Sequence, residues 1–225
     1  MKSFTKSIVQ GMTFVLFLFA VGCTKVAITE TPEITANKTA KRLTTETSYM
    51  LEVPPVGNQG SEGSCVSFAV GYYQLSIEEH YKTMVPYSYV NIFSPEFLYN
   101  QTNFGNCNNG GNVLTILDFV KLKGALPWEF MPYSSSNGCT LQPTEAQKIE
   151  ALKYKIYSYS QVVCTNIAQI KTLLINNHPL SFQFGVDDKF YNADSTFIWN
   201  SHGTPVGPHA CTIVGFDDSK NAFRV

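Results

Sequence analysis

The sequence predicts an α+β fold with a helical first lobe and a β-rich second lobe. Up to about residue 145, three apolar or amphipathic stretches have the spacing and the start signals of α-helices. After Pro143 the pattern changes to short alternating segments rich in tyrosine, valine, isoleucine and phenylalanine, which is typical of strands. With 225 residues, 44% of them hydrophobic, the chain can bury a sizeable core as one large domain or two small lobes.

The N-terminus has the features of a secretory signal. Lys2 and Lys6 precede an apolar run that is short for a membrane span and ends at Gly22-Cys23. The segment Ala20-Val21-Gly22-Cys23 resembles a bacterial lipobox, so we expect residues 1–22 to be the signal peptide and Cys23 to be lipidated as the mature N-terminus. This places the protein in the bacterial cell envelope, lipid-anchored at the outer membrane or cell surface. A plain signal peptide with an incidental cysteine is the alternative.

The next segment, residues 23–50, is predicted to be a polar tether between the lipid and the folded part. It is rich in threonine, lysine and glutamate and almost lacks aromatic residues. The folded domain is therefore expected to span residues 51–225, with the helical lobe at about 57–145 and the β lobe from about 146.

Three helices are predicted in the first lobe. The first begins at Cys65 and stays apolar on all sides until Glu78, as expected of a buried helix. The second begins with Ser94 as N-cap and Pro95 at the first helical position. The third begins after Gly110-Gly111-Asn112 and ends at Gly124.

The second lobe is predicted to contain strands around one short helix. Tyrosine, isoleucine and valine recur between residues 154 and 163, residues 167–175 suggest the helix, and residues 180–184 alternate as a strand. His209 stands at the start of the apolar segment 210–216, which is followed by a turn at 217–221.

A glycine-rich turn carries the candidate nucleophile. Residues 59–69 spell Gln-Gly-Ser-Glu-Gly-Ser-Cys-Val-Ser-Phe-Ala, so Cys65 is placed at the start of a helix. Unpaired N–H groups at a helix start lower the pKa of a thiol and stabilise the thiolate, which is the attacking species. The amide of Gln59 can donate to an oxyanion beside Cys65. The alternative is a buried structural cysteine after a turn.

These residues resemble the active-site segment of the papain-like cysteine peptidases. The matching positions are Gln59, Gly63, Ser64, Cys65, Phe68 and Ala69. The chain departs from the family motif at Glu62, which replaces a cysteine, and at Val66, which replaces an aromatic residue. The resemblance implies a two-lobed papain-like fold with Cys65 as nucleophile and Gly63 and Ser64 beside the substrate. It also implies that Gly110 and Gly111 pair with a peptide substrate as an extra strand.

The resemblance makes His209 the general base and acid. It lies 209 − 65 = 144 positions after Cys65, within the interval of the family motif. The alternative is a structural histidine at a strand end. Pro208 stands where the family usually has Asp or Asn, and the family's orienting Asn-Ser-Trp segment does not occur before Val225. The β lobe is therefore expected to be incomplete, either because the chain is a fragment or because this copy has lost the residue.

Five cysteines follow Cys23, so at least one thiol is expected to be free. If Cys65 is the nucleophile, the other four allow three pairings. We prefer Cys107 with Cys139, because both lie in irregular stretches rich in glycine and asparagine. In the family, Cys107 would pair with the position that Glu62 occupies here.

Other classes of protein find little support in the sequence. A net charge of −1 and the lack of a basic stripe argue against nucleic-acid binding. The sequence contains neither a C-x-x-C pair nor an H-E-x-x-H helix, so no metal site is predicted, and no cofactor is predicted either. Nothing in the sequence indicates an oligomeric state.

The sequence thus predicts a cysteine-type peptidase that hydrolyses peptide bonds in peptides or proteins and is held at the membrane through lipidated Cys23. Two alternatives remain. One is a non-catalytic binding module with the same fold, and the other is an amidase or transferase that acts on cell-wall peptides.

Overall fold

The computed structural model describes residues 15–16, 25–30, 46–134, 138–194 and 196–225. The predicted lipidation site at Cys23 and nearly all of the predicted signal peptide lie outside these ranges, so both stay predictions. Within the described part of the chain, no helix is long and apolar enough to cross a bilayer.

The described α-helices are α1 (Cys65–Ser67), α2 (Ser76–Thr83), α3 (Pro95–Asn100), α4 (Val113–Lys123), α5 (Glu145–Ala151), α6 (Ile167–Ile175) and α7 (Asp188–Tyr191). A π-helical segment, Phe68–Leu75, joins α1 to α2 into one continuous helix. Short 3₁₀ helices occur at Trp128–Phe130, Gly138–Thr140, Leu152–Tyr154 and Asp218–Lys220.

The described strands are β1 (Val15–Leu16), β2 (Lys25–Glu30), β3 (Ser48–Met50), β4 (Ser158–Val163), β5 (Leu180–Asp187), β6 (Ile198–Trp199), β7 (Pro205–Ile213), β8 (Gly215–Asp217) and β9 (Ala222–Arg224). One sheet has the order β3-β8-β9-β1-β6 and the other has the order β4-β2-β5-β7. Strands β5 and β7 pair antiparallel from Leu180 opposite Ile213 to Asp187 opposite Pro205. The α+β class is confirmed, whereas the expected succession of helices before strands is not, because β1, β2 and β3 precede the first helix.

The three predicted helices of the first lobe form with the expected end signals. The Ser94 hydroxyl accepts a hydrogen bond from the N–H of Phe97, and Pro95 takes the first helical position. Asn112 caps α4, and Gly124 ends it with a φ of 80°, which glycine adopts without strain. These local signals determine where the helices start and stop.

The continuous helix from Cys65 to Thr83 forms the centre of the molecule. Its buried side chains include Val70, which packs into the core of the helical lobe, and Ile77, which packs into the core of the β lobe. Burying both faces requires an apolar helix on all sides, which is the pattern of the sequence. The helix therefore carries Cys65 at the boundary between the two lobes.

The prediction of a polar tether is wrong for residues 48–50, which form β3 opposite β8, and for residues 25–30. Residues 25–30 form β2, which lies between β4 and β5 in the second sheet, with Ala27 opposite Ser181. Ala27 packs in the core of the helical lobe and Ile28 in the core of the β lobe. Side chains on a strand alternate between faces, so Ala27 and Ile28 can serve the two cores even though the surrounding sequence is polar.

Candidate active site

Cys65 is the first residue of α1, and the turn before it is held by backbone contacts. The N–H of Gly63 donates to the carbonyl of Cys107 at 2.8 Å. A Cβ at Gly63 would clash with the carbonyl oxygen of Asn109, so only glycine allows this close approach. The turn and the loop around Cys107 therefore support each other beside the thiol.

Tyr133 connects the two ends of this turn. Its hydroxyl lies 2.7 Å from Oγ of Ser64 and donates to the carbonyl oxygen of Gln59 at 2.8 Å. Ser64 is fully buried, so its hydroxyl is engaged with Tyr133 and does not face an open cleft. The whole residue, backbone included, is buried, so Ser64 supports the turn and is not placed to contact a substrate as the sequence predicts. Sequence reasoning did not identify Tyr133, because 69 residues separate it from Ser64.

Gln59 lies in the same turn, with its side-chain amide folded toward the protein. Nε2 of Gln59 donates to the carbonyl oxygen of Glu62 at 2.7 Å. A primary amide has two N–H groups, so one of them is committed to the turn. The second N–H is the one that can serve as an oxyanion donor.

Strand β7 brings His209 to the region of Cys65. Ala210 on this strand packs in the core of the helical lobe, against which Cys65 also packs, and the hydroxyl of Thr212 donates to the carbonyl oxygen of Ala69 at 2.7 Å. Ala210 directly follows His209 in the chain. The strand that carries His209 is thus held against the helix that begins with Cys65.

The imidazole of His209 lies against an aromatic wall. Its ring centroid is 6.2 Å from that of Phe184 on β5 and 5.6 Å from that of Phe190 on α7. Among the described residues, no side chain orients this ring through a hydrogen bond. Aromatic packing alone sets its place, and neither phenylalanine could be identified from sequence spacing.

The pKa of the Cys65 thiol is raised, contrary to the expectation from its helix position. Burial disfavours the thiolate and outweighs the amide groups of Ala210 and Val66, which lower the pKa. Burial also lowers the pKa of His209 to about 4. Near neutral pH the resting pair is therefore an uncharged thiol and an uncharged imidazole.

Cys65 and Cys211 are the free thiols among the described residues. Burial raises the pKa of Cys211 strongly, and the nearby Cys65 raises it further. Both cysteines are partly exposed, but Cys65 lies at a helix start, where amide groups oppose the effect of burial on its pKa. Of the two, Cys65 is the better candidate for covalent chemistry.

Gly110 and Gly111 follow the loop that supports the nucleophile turn. Gly110 is exposed, and nothing lies within 4 Å of where its Cβ would be. A Cβ on Gly111 would lie 3.2 Å from Cβ of Val66, the residue after the nucleophile. Gly110 is thus open to solvent, whereas Gly111 lies next to the residue that follows Cys65.

A disulfide joins Cys107 to Cys139, with their Cα atoms 5.5 Å apart, so the preferred pairing is confirmed. A carboxylate oxygen of Glu62 lies within 4.8 Å of both sulfurs. Among the described residues, these three atoms form the group that could hold a metal ion. The disulfide removes the two thiolates that a metal would need. This cluster is therefore a structural feature of the loop.

Comparisons with known proteins give a family and similar folds. Residues 42–223 match the family described as papain family cysteine protease. The solved structure of xylellain, a cysteine protease from Xylella fastidiosa, is 20% identical, with a TM-score of 0.67 over 95% of this chain and 84% of that one. The Carica candamarcensis cysteine protease CMS1MS2, solved in complex with E-64, is 21% identical, with a TM-score of 0.56 over 77% of this chain and 78% of that one. No curated protein matches the sequence.

Proposed function

The chain belongs to the papain family of cysteine proteases, and we propose that it hydrolyses peptide bonds with Cys65 as nucleophile and His209 as general base. The observation that carries this proposal is the approach of β7 to the helix start. Thr212 on β7 donates to the carbonyl oxygen of Ala69 in the central helix, Ala210 packs in the core that Cys65 also contacts, and His209 directly precedes Ala210. A thiol and an imidazole on facing elements, at the boundary between two lobes, are the parts that acyl transfer requires.

The reaction begins when Cys65 attacks the substrate carbonyl and its proton passes to His209. An imidazole with a pKa of about 4 is unprotonated at neutral pH and can accept that proton. The N–H of Cys65 and the uncommitted N–H of Gln59 stabilise the oxyanion. His209 returns the proton to the leaving amine, which departs and leaves a thioester on Cys65. Water then attacks the thioester and gives a proton to His209, which returns it to the Cys65 sulfur as the carboxylic acid leaves.

The substrate is proposed to bind as an extended strand along Gly110 and Gly111. Exposed backbone at Gly110 offers hydrogen-bonding groups to a peptide, and Gly111 places that edge beside the residue that follows the nucleophile. Peptide or protein substrates fit such an edge.

We also propose a cell-envelope location, with the chain lipid-anchored through Cys23. Its support is the sequence pattern of Ala20-Val21-Gly22-Cys23 after an apolar run, together with a disulfide between Cys107 and Cys139, which suits an oxidising compartment. Metabolic labelling with a clickable fatty acid tests the anchor. Label that remains in Cys23→Ser would contradict it.

Labelling by an epoxide thiol probe tests the catalytic assignment. We expect one equivalent of probe on wild-type protein, none on Cys65→Ser, and unchanged labelling on Cys211→Ser, which removes the other free thiol. Probe on Cys65→Ser would contradict the assignment. Hydrolysis of denatured casein, compared with release from peptidoglycan fragments, separates a peptidase from a cell-wall amidase and from a non-catalytic binding module.

A further inference from the structure

A single glutamine side chain bridges the two lobes beside the proposed substrate edge. Gln183 lies on β5 between Phe182 and Phe184, which are buried in the core of the β lobe. Because side chains alternate along a strand, Gln183 points to the opposite face. There its Nε2 donates to the carbonyl oxygen of Gly111 at 2.9 Å, and its Oε1 accepts from the N–H of Val113 at 2.9 Å.

The bond to Val113 completes the cap of helix α4 from the other lobe. The first N–H groups of a helix have no partner within it. The side chain of Asn112 accepts from the N–H groups of Leu114 and Thr115, and Gln183 accepts from Val113. The start of α4 is thus held from two sides.

The bond to Gly111 concerns the substrate edge itself. A carbonyl oxygen has two lone pairs, so the donor from Gln183 leaves one for a further partner. Gly111 lies against Val66, which follows Cys65. Gln183 thereby holds the Gly111 carbonyl from the side of β5.

We propose that Gln183 is a positioning residue for extended substrates. This proposal rests on the proposed peptidase function and on Gly110 and Gly111 as the substrate edge. The side-chain amide holds the Gly111 carbonyl in the orientation that a bound peptide strand pairs with. A substrate too short to reach the edge depends on Cys65 and His209 alone and gains nothing from Gln183.

The test compares two substrates with the same scissile residue and leaving group. One is a peptide extended by three residues on the N-terminal side, and the other is a single blocked amino acid. In Gln183→Leu we expect KM for the extended substrate to rise about tenfold, since two hydrogen bonds are lost, with kcat within about twofold. Both constants for the short substrate stay within about twofold. The matched control is Gln161→Leu, which changes an exposed glutamine on β4, and its constants stay at the wild-type values.

A second variant keeps the test decisive if Gln183→Leu does not fold. Gln183→Glu retains the acceptor for Val113 but places a carboxylate oxygen against the Gly111 carbonyl. We expect it to lose affinity for the extended substrate at pH 7. The loss reverses below about pH 4.5, where the carboxylic acid can again donate. The ratio of the two substrates' KM values shows this reversal, which a merely structural role would not produce.

The outcomes separate the two proposals. A wild-type protein that cleaves neither substrate overturns the peptidase function. With active wild-type protein, unchanged constants in Gln183→Leu overturn the positioning role, and so does an equal loss for both substrates. A Gln183→Glu variant whose KM ratio does not change with pH overturns it as well.

Discussion

Thr29 on β2 donates its hydroxyl hydrogen to the carboxylate of Glu78 on α2, so a strand near the N-terminus is bonded to the central helix. Thr29 is 2% exposed. The other carboxylate oxygen of Glu78 is buried and has no hydrogen-bond partner among the described residues. A carboxyl group in this setting favours its neutral form, because ionisation would leave a charge in the interior.

The first prediction concerns Glu78 and pH. Burial raises its pKa from 4.5 to about 7, against the opposing effect of the Thr29 hydroxyl. Between pH 4.5 and about 7 the folded state therefore retains the proton on Glu78, whereas the unfolded state releases it. Stability falls as pH rises from about 4.5 to about 7, by at most about 3 kcal/mol. Urea unfolding of wild type and Glu78→Gln from pH 4.5 to 7.5 measures this. We expect the free energy of unfolding of the variant not to show this decline.

Glu145→Gln is the control for this series, because the side chain of Glu145 is 83% exposed. Its stability is expected to follow the wild-type pH dependence. Parallel curves for wild type and Glu78→Gln would contradict the prediction.

The second prediction concerns β2 as part of the fold. Ile28 is 2% exposed and packs in the core of the β lobe. Ile28→Ala is expected to lower the free energy of unfolding by about 2–4 kcal/mol, through lost burial and a residual cavity. Val163→Ala, at a strand position 53% exposed, is the control and costs much less. Equal stabilities of Ile28→Ala and wild type would indicate that residues 25–30 act as a tether after all.

The third prediction concerns the acidic limit of activity. Because burial lowers the pKa of His209 to about 4, the base stays unprotonated well below the ordinary range of histidine. We expect kcat/KM to fall only as pH drops through about 4. A profile from pH 3 to 8 in buffers of constant ionic strength measures the limit. A midpoint near pH 6.5 would show that His209 is solvated in the free enzyme.

The fourth prediction concerns Tyr133. Tyr133→Phe removes the partner of the buried Ser64 hydroxyl and the donor to Gln59. An unsatisfied buried hydroxyl costs about 1–3 kcal/mol, so we expect a loss of stability in that range and slower labelling of Cys65 by an epoxide probe. Tyr157→Phe, at a side chain 68% exposed, is the control. Wild-type labelling in Tyr133→Phe would mean that the turn keeps its shape without this contact.

Local chemistry made several elements predictable. Ser94, Pro95, Asn112 and Gly124 mark helix ends through interactions within a few residues. The nucleophile turn and the helix that follows it were predicted for the same reason. Strand β2 was missed because its few apolar residues lie in a polar stretch, and only the pairing with β4 and β5 shows where they are buried.

The sequence by itself determined the α+β class, the ends of the helices between residues 94 and 124 and the turn that presents Cys65, because each of these depends on short-range patterns. The match to the family motif singled out His209. The tertiary structure alone decided the pKa of Cys65, the aromatic wall beside His209 and the bridge from Gln183 to Gly111. Burial and the partners of a hydrogen bond arise from contacts between residues far apart in the chain. A helix start lowers the pKa of any thiol, but only the folded molecule determines how much water is excluded around it.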